Sequence, residues 1–186
     1  MSSNSGEWWL GPLEGGPETL IALCGPVGVG KTTTAEMMVK TRGFIRKSFA
    51  QPTKEVARWL YDLDSIQTDG ARKEVVDERY GLTPRFIMQR IGTDVFREIH
   101  PATWLIYMRR QLQGYPPGTK VVIDDLRFEN EANAIRAWGG RVVELQREGY
   151  HYSHEHASEK GVEADYAVYN TTPEQTASIL AHDWED

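Results

Sequence analysis

One eight-residue stretch, Gly25-Pro-Val-Gly-Val-Gly-Lys-Thr32, constrains the fold of this chain more than any other feature. It follows a short apolar run, residues 19–24, and precedes a segment with helical periodicity, residues 31–41. The stretch matches the pattern G-x-x-x-x-G-K-[ST], in which glycines let successive backbone N–H groups turn around an anion. A strand before this loop and a helix after it predict an α/β fold whose loop binds phosphate groups.

The individual positions of this loop have predicted contacts with a nucleotide. Lys31 is expected to reach the β- and γ-phosphates, and the Thr32 hydroxyl is expected to ligate Mg²⁺. The helix that begins near Lys31 adds the positive end of its dipole. ATP and Mg²⁺ are therefore the predicted cofactors, and the loop residues predicted to bind them are Gly25, Val27, Gly28, Val29, Gly30, Lys31, Thr32 and Thr33.

Strand and helix patterns alternate along the rest of the chain. This alternation predicts a three-layer P-loop NTPase fold, a mostly parallel five-stranded sheet with helices on both faces. Residues 1–17 are rich in Ser, Gly, Pro and Glu and are predicted to form a flexible leader before a single domain, residues 18–186. The predicted strands are residues 19–24, 44–49, 120–124, 141–146 and 165–169. The predicted helices are residues 31–41, 53–63, 71–80, 84–98, 101–113, 129–138 and 173–182.

Two acidic residues, Asp124 and Asp125, end the apolar strand Lys120–Ile123. A phosphate loop needs an acid at the end of a neighbouring strand to hold the water shell of the metal. Adjacent side chains on a strand point in opposite directions, so we expect only one of the two to face the site. The structural alternative for either residue is capping of the helix predicted over 129–138.

Composition limits the partners of the protein. The formal net charge is −6 and no basic stripe is visible, which favours a small phosphorylated ligand over polymeric nucleic acid. The single cysteine, Cys24, excludes an internal disulfide and fits a reducing compartment. No apolar run reaches 18 residues and no signal peptide is apparent, so we expect a cytoplasmic protein without a membrane partner.

Several cationic and amide side chains are placed where an anionic acceptor could bind. Arg85 and Gln89 lie four residues apart on one face of a predicted helix. Arg127 and Arg147 each follow the end of a predicted strand. Phosphoryl transfer needs positive groups on the transferred phosphoryl and on the acceptor. A phosphate acceptor is already an anion, which agrees with the absence of an obvious general-base pair. These residues predict a phosphotransferase with an anionic acceptor.

Three segments of the chain resemble the bacteriophage-type deoxynucleoside monophosphate kinases. The first is Arg85-Phe-Ile-Met-Gln-Arg-Ile-Gly-Thr-Asp94, followed by Trp104. The second is Val121-Val-Ile-Asp-Asp-Leu-Arg127-Phe-Glu-Asn-Glu131, which continues to Arg147. The third is His156-Ala-Ser-Glu159 with Ala164-Asp-Tyr-Ala-Val-Tyr-Asn170. The order and spacing of these motifs, over roughly residues 19–182, carry the resemblance.

The resemblance implies transfer of the γ-phosphoryl group of ATP to a deoxynucleoside monophosphate, which gives a deoxynucleoside diphosphate and ADP. It implies a lid of about residues 148–164 that begins after Arg147, with His156 and Glu159 ordering its far end. Asn170 would lie beside the adenine of ATP. Relatives of this kind also imply a homodimer, and a phage-encoded protein would act in the host cytoplasm.

The same resemblance implies roles for the remaining site residues. The residues implied to line the monophosphate site are Arg85, Gln89, Trp104, Asp125, Arg127 and Glu131. The implied catalytic residues are Lys31, Asp125, Arg127 and Arg147, and the implied metal-site residues are Thr32 and Asp125.

Two other functions fit the phosphate loop. One is a different small-molecule kinase of similar size, resembling dephospho-coenzyme A or shikimate kinases. The other is an ATP-binding regulatory module that transfers no phosphoryl group. Turnover that depends on an added nucleoside monophosphate separates the first hypothesis from both alternatives.

Overall fold

A computed structural model of the chain describes residues 7–152 and 161–182. The chain divides into two compact units: unit 1 comprises Met1–Ser48 and Met108–Asp186, and unit 2 is Phe49–Tyr107. The strands are β1 (Thr19–Cys24), β2 (Ile45–Lys47), β3 (Lys120–Ile123), β4 (Arg141–Gln146) and β5 (Tyr166–Tyr169). The α-helices are α1 (Lys31–Arg42), α2 (Gln51–Tyr61), α3 (Ser65–Thr68), α4 (Pro84–Gln89), α5 (Phe96–Ile99), α6 (Thr103–Leu112), α7 (Glu129–Ala137) and α8 (Pro173–His182).

Within the part of the chain that the structure describes, unit 1 contains a five-stranded sheet of order β2-β3-β1-β4-β5, and every neighbouring pair is parallel. The predicted fold class is therefore confirmed. β1 is the central strand and pairs with β3 on one side and β4 on the other. Because all strands run the same way, their carboxyl ends lie at one edge of the sheet. The predicted phosphate loop follows β1 at that edge.

Helices cover both faces of the sheet, and every residue of β1 is buried. Ile21 and Leu23 pack in one core cluster with residues of α1 and α8. Leu20 points to the opposite face, since adjacent side chains of a strand alternate. There α7 approaches so closely that a Cβ atom on Gly140 would lie 2.8 Å from side-chain atoms of both Ile135 and Leu20.

Unit 2 is helical, and its core includes Ala57, Leu63, Ile87 and Ile91. The helix predicted over 84–98 is present as α4, a π-helical segment Arg90–Val95, and α5. Thr83 caps its start, since the Thr83 hydroxyl accepts a hydrogen bond from the backbone N–H of Phe86.

The helix predicted over 71–80 is wrong. Only Ala71–Glu74 forms a 3₁₀ turn, and Asp77 then makes an antiparallel bridge to Leu82. The Asp77 carboxylate accepts hydrogen bonds from the side chains of Arg79 and Gln67, which stabilise the turn instead of a helix.

Residues 7–17, for which the sequence predicts a flexible leader, contact the rest of unit 1. The Trp138 indole donates to the carbonyl of Trp9 at 2.8 Å. The buried Arg109 guanidinium donates to the carbonyls of Gly11 and Pro12, the latter at 2.8 Å. These bonds satisfy backbone groups of a segment that has little secondary structure of its own. Residues 1–6 lie outside the described part of the chain.

Of the helices that the structure describes, none combines the length and the apolar character that a membrane crossing requires.

Candidate nucleotide site

The loop between β1 and α1 has the backbone conformation of a phosphate cradle. Gly25, Gly28 and Gly30 have φ values of 131°, 81° and 107°, which other residues rarely adopt. A Cβ atom on Gly25 would lie 2.6 Å from the Leu145 carbonyl oxygen of β4. Glycine is therefore required both for the turn and for the close approach of the loop to the sheet. The N-terminus of α1 follows directly at Lys31.

Lys31 is held inside this loop by the backbone of the loop. Its ammonium group donates to the carbonyl of Gly25 at 2.6 Å and to that of Pro26 at 2.8 Å. Burial, assisted by the positive charge of Arg127, lowers the pKa of Lys31 to about 8. The geometry thus brings two sequence-predicted residues, Lys31 and Arg127, within electrostatic reach of each other.

Asp124 is the acid next to the loop threonine. The Thr32 hydroxyl donates to Asp124 Oδ2 at 2.8 Å, and Arg46 makes an ion pair with the same oxygen at 2.7 Å. Asp124 is 3% exposed, and its Oδ1 atom has no hydrogen-bond partner within the described residues. A hydroxyl beside a buried carboxylate with a spare oxygen fits the oxygen ligands that Mg²⁺ prefers.

Asp124 rather than Asp125 contacts Thr32, and the implied place of Asp125 at the metal stays a prediction. Asp125 accepts a hydrogen bond from the Ser48 hydroxyl at 2.7 Å, whereas Asp124 accepts the one from Thr32. The alternation of side chains explains why two adjacent acids take different partners.

Glu131 has a structural position beside Arg127. Its buried carboxylate accepts hydrogen bonds from the backbone N–H groups of Arg127 at 3.0 Å and Phe128 at 3.2 Å. These donors lie just before α7, on its N-cap residue Phe128 and on the residue that precedes it, as in a capping box. Glu131 therefore fixes the backbone that carries Arg127, and its predicted contact with a substrate stays a prediction.

The first residues of the predicted lid lie over the phosphate loop. The Arg147 guanidinium lies 5.4 Å from the ring centre of Tyr150. A Cβ atom on Gly28 would lie 2.9 Å from that same ring. Two predicted residues of the far end of the lid, His156 and Glu159, lie outside the described part of the chain.

A half-buried polar pair lies next to Cys24, the last residue of β1, which pairs in register with Glu144 of β4. The Tyr152 hydroxyl donates to a Glu144 carboxylate oxygen at 2.7 Å. Burial and the nearby Glu144 raise the pKa of Cys24 to about 12, so this thiol is uncharged at neutral pH.

Asn170 binds the phosphate loop itself. Its Nδ2 atom donates to the carbonyl of Val29 at 2.7 Å, and its Oδ1 atom accepts from the Thr176 hydroxyl at 2.8 Å. Asn170 is 4% exposed, so its amide is directed into the protein. The predicted position beside adenine is not supported by these contacts.

The acceptor-side residues Arg85, Gln89 and Trp104 lie in unit 2. Arg85 forms an ion pair with Glu74, and Gln89 is half-buried one turn further along α4. Trp104 is 7% exposed, and its indole N–H donates to the carbonyl of Gly92 at 2.7 Å. The geometry gives Trp104 a packing role within this unit, and its contact with a sugar or base stays a prediction.

Sequence reasoning missed three contributors to the site. Arg46 and Ser48 bind the two acids, and Thr176 orients Asn170. Arg46 and Ser48 could have been found from their position toward the end of a predicted strand. In a parallel sheet, the residues at the carboxyl ends of the strands lie close to the loops that bind the ligand. Thr176 gave no signal, because a polar residue on a helix is usually solvated.

A glycine loop at the switch point of a parallel sheet, with its lysine, threonine and buried acid, defines this protein as a P-loop phosphotransferase. The model of the deoxynucleotide monophosphate kinase family matches residues 62–172, more than half of the chain. The chain therefore belongs to the deoxynucleotide monophosphate kinase family, and the predicted family and kinase class are confirmed.

One named relative and two solved structures are similar to this chain. A protein of Acanthamoeba polyphaga mimivirus, provisionally named a deoxynucleotide monophosphate kinase, is 38% identical over 154 residues, covering 75% of this chain and 80% of the relative. A dephospho-CoA kinase from Campylobacter jejuni has 14% identity and a TM-score of 0.44, with 89% of this chain and 97% of that chain covered. A gluconokinase from Sinorhizobium meliloti has 16% identity and a TM-score of 0.45, with 90% and 94% covered.

Proposed function

We propose that this protein transfers the γ-phosphoryl group of Mg²⁺–ATP to a deoxynucleoside monophosphate, giving a deoxynucleoside diphosphate and ADP. The observation that carries the proposal is the contact of Thr32 with buried Asp124 beside the phosphate loop, in a chain of this kinase family. These residues supply a polyphosphate cradle and a cation site at one point.

The donor is held by the loop and by the N-terminus of α1. Backbone N–H groups of the glycine loop surround the phosphates, and the helix dipole favours their negative charge. Lys31 now donates to the carbonyls of Gly25 and Pro26, and it exchanges these partners for phosphate oxygens. The polyanion raises the pKa of Lys31 again, which keeps the ammonium charged during transfer.

The Thr32 hydroxyl and the Asp124 carboxylate are the groups that would hold Mg²⁺. When bound, Mg²⁺ neutralises charge on the β- and γ-phosphates. Asp125, bonded to Ser48, is reassigned to the neighbourhood of the acceptor.

The acceptor needs positive charge rather than a base, because its phosphate is already an anion. Arg127 and Arg147 flank the loop edge from the ends of β3 and β4, and we assign them to the transferred and acceptor phosphates. We retain Arg85 and Gln89 of unit 2 as acceptor-binding residues. Closure of the lid would exclude water and so prevent hydrolysis of ATP.

An ADP-release assay across all deoxy- and ribonucleoside monophosphates tests the reaction. We expect at least one deoxynucleoside monophosphate to accelerate ADP release, and chromatography to identify its diphosphate. Lys31→Ala should abolish transfer. Arg147→Ala should lower kcat more than ATP affinity, with Arg110→Ala, at an exposed arginine of α6, as the matched control.

The alternatives predict different outcomes in the same assay. Stimulation by dephospho-coenzyme A or shikimate alone would establish the other small-molecule kinase. Nucleotide binding without any acceptor-dependent turnover would establish a regulatory module. Because ATP and nucleotides are its substrates, we assign the enzyme to the cytoplasm. A homodimer and the absence of polymeric nucleic acid partners stay predictions.

A further inference from the structure

We propose that Asn170 is a positioning residue that keeps the phosphate loop in its binding shape through the Val29 carbonyl. The proposal rests on the function of this loop in nucleotide binding. It replaces the expectation that Asn170 contacts adenine.

Three hydrogen bonds fix Asn170 in one orientation. Its backbone N–H donates to the Gln146 carbonyl at 2.7 Å, which places the residue at the end of β5 beside β4. The side chain bridges the Val29 carbonyl, at 2.7 Å, and the Thr176 hydroxyl, at 2.8 Å. Thr176 is fully buried on α8, so the bridge connects the loop to a helix in the core.

The chemistry of this bridge requires an amide. A backbone carbonyl can only accept, so the atom facing Val29 must be the NH₂ group of Asn170. The Oδ1 atom then faces Thr176, whose hydroxyl donates. An aspartate of the same size could keep the bond from Thr176, but it would direct a carboxylate oxygen at the Val29 carbonyl.

The bridge also sets the direction of the next peptide N–H. In a trans peptide the C=O and N–H groups point in opposite directions. The Val29 carbonyl points at Asn170, so the Gly30 N–H points to the other side of the loop, which we assign to the phosphates. A Cβ atom at Gly30 would lie 2.4 Å from Asn170 Nδ2. The Asn170 amide can therefore occupy this position only because residue 30 is a glycine.

The test compares ADP with inorganic tripolyphosphate, which has no adenine. Calorimetric titration of Asn170→Asp and of the uncharged Asn170→Ala with each ligand separates the two roles. If Asn170 holds the loop, both variants bind both ligands more weakly, by roughly tenfold for Asn170→Ala. If Asn170 contacts adenine, ADP binding weakens and tripolyphosphate binding does not, which overturns the proposal.

Thr176→Val tests the other end of the bridge, because it removes the hydroxyl that orients Asn170 and leaves the contact with Val29. We expect it to lower the urea midpoint and to weaken the binding of both ADP and tripolyphosphate, each by less than Asn170→Ala does, in line with the loss of one buried hydrogen bond. Unchanged ADP affinity in Asn170→Ala would also refute the positioning role. A wild-type protein that binds ADP but phosphorylates no monophosphate would refute the proposed reaction and leave this inference intact.

Discussion

The Arg46 guanidinium lies 2.7 Å from the Asp124 carboxylate, on the oxygen that also accepts the Thr32 hydroxyl. The Asp124 side chain is 2% exposed, and a buried carboxylate is stable only when its charge is compensated. Arg46 supplies that compensation and holds the carboxylate in its orientation toward Thr32.

Arg46→Met should destabilise the protein by about 2 kcal/mol, less than the loss of a fully buried pair because Arg46 is 34% exposed. Urea unfolding measures the change. Glu36→Gln is the control, since Glu36 is the exposed second partner of Arg46 at 3.4 Å. Its loss should stay below about 0.5 kcal/mol. Equal losses in the two variants would show that Asp124 does not depend on Arg46.

Nucleotide affinity should fall with rising pH above about 8, the lowered pKa of Lys31 in the unliganded protein. Binding of a polyphosphate requires the charged ammonium of Lys31. Above its pKa this side chain is a neutral amine, which must take up a proton before the polyphosphate binds. The limiting slope is about tenfold per pH unit. Titration with ADP between pH 7 and 9.5 checks this, and Lys31→Met should bind weakly without that slope.

The lowered pKa of Lys31 also makes the free energy of unfolding depend on pH. The folded pKa of Lys31 lies below its ordinary value of 10.5, so between about 8 and 10.5 the unfolded chain binds more protons. The contribution of Lys31 to stability is therefore least favourable below pH 8 and rises through this window. Lys31→Met should lose this rise when urea unfolding is followed against pH.

Glu131→Ala should destabilise the protein by about 1–2 kcal/mol, because it removes the cap on the first turn of α7. Urea unfolding measures the loss, and the exposed Glu129→Gln on the same turn serves as control. If Glu131 instead contacts the deoxyribose, the substitution will change the ratio of KM values for deoxy- and ribonucleotides and leave the stability unchanged.

Arg109→Met should release residues 7–17 from the rest of unit 1, since Arg109 donates to two carbonyls of this segment. We expect cleavage at Glu14 by a glutamate-specific protease to accelerate at least tenfold, because local opening exposes the backbone. The exposed neighbour Arg110→Met should be cleaved like the wild type. Equal cleavage rates in both variants would contradict the anchoring role.

The sheet and the phosphate loop could be predicted because their signals are local. The run before Gly25 is apolar along its whole length, and each loop position is defined by its own chemistry. The contacts of the leader could not be predicted, since Arg109 and Trp138 are distant in the chain.

The assignment of the two acids shows a similar limit. Alternation predicted that one of Asp124 and Asp125 faces Thr32, but the choice depends on where the strand ends. The role of Asn170 needed coordinates for another reason: a resemblance places a residue near a site but does not identify the atom that it binds.

The central position of β1 has a consequence for how the chain folds during synthesis. Its two partners, β3 and β4, begin only at Lys120 and Arg141, and β2 pairs with β3 rather than with β1. While the ribosome translates residues 49–107, the apolar β1 therefore has both edges open, a state prone to aggregation. A molecular chaperone that shields nascent chains during that interval should therefore raise the yield of folded enzyme.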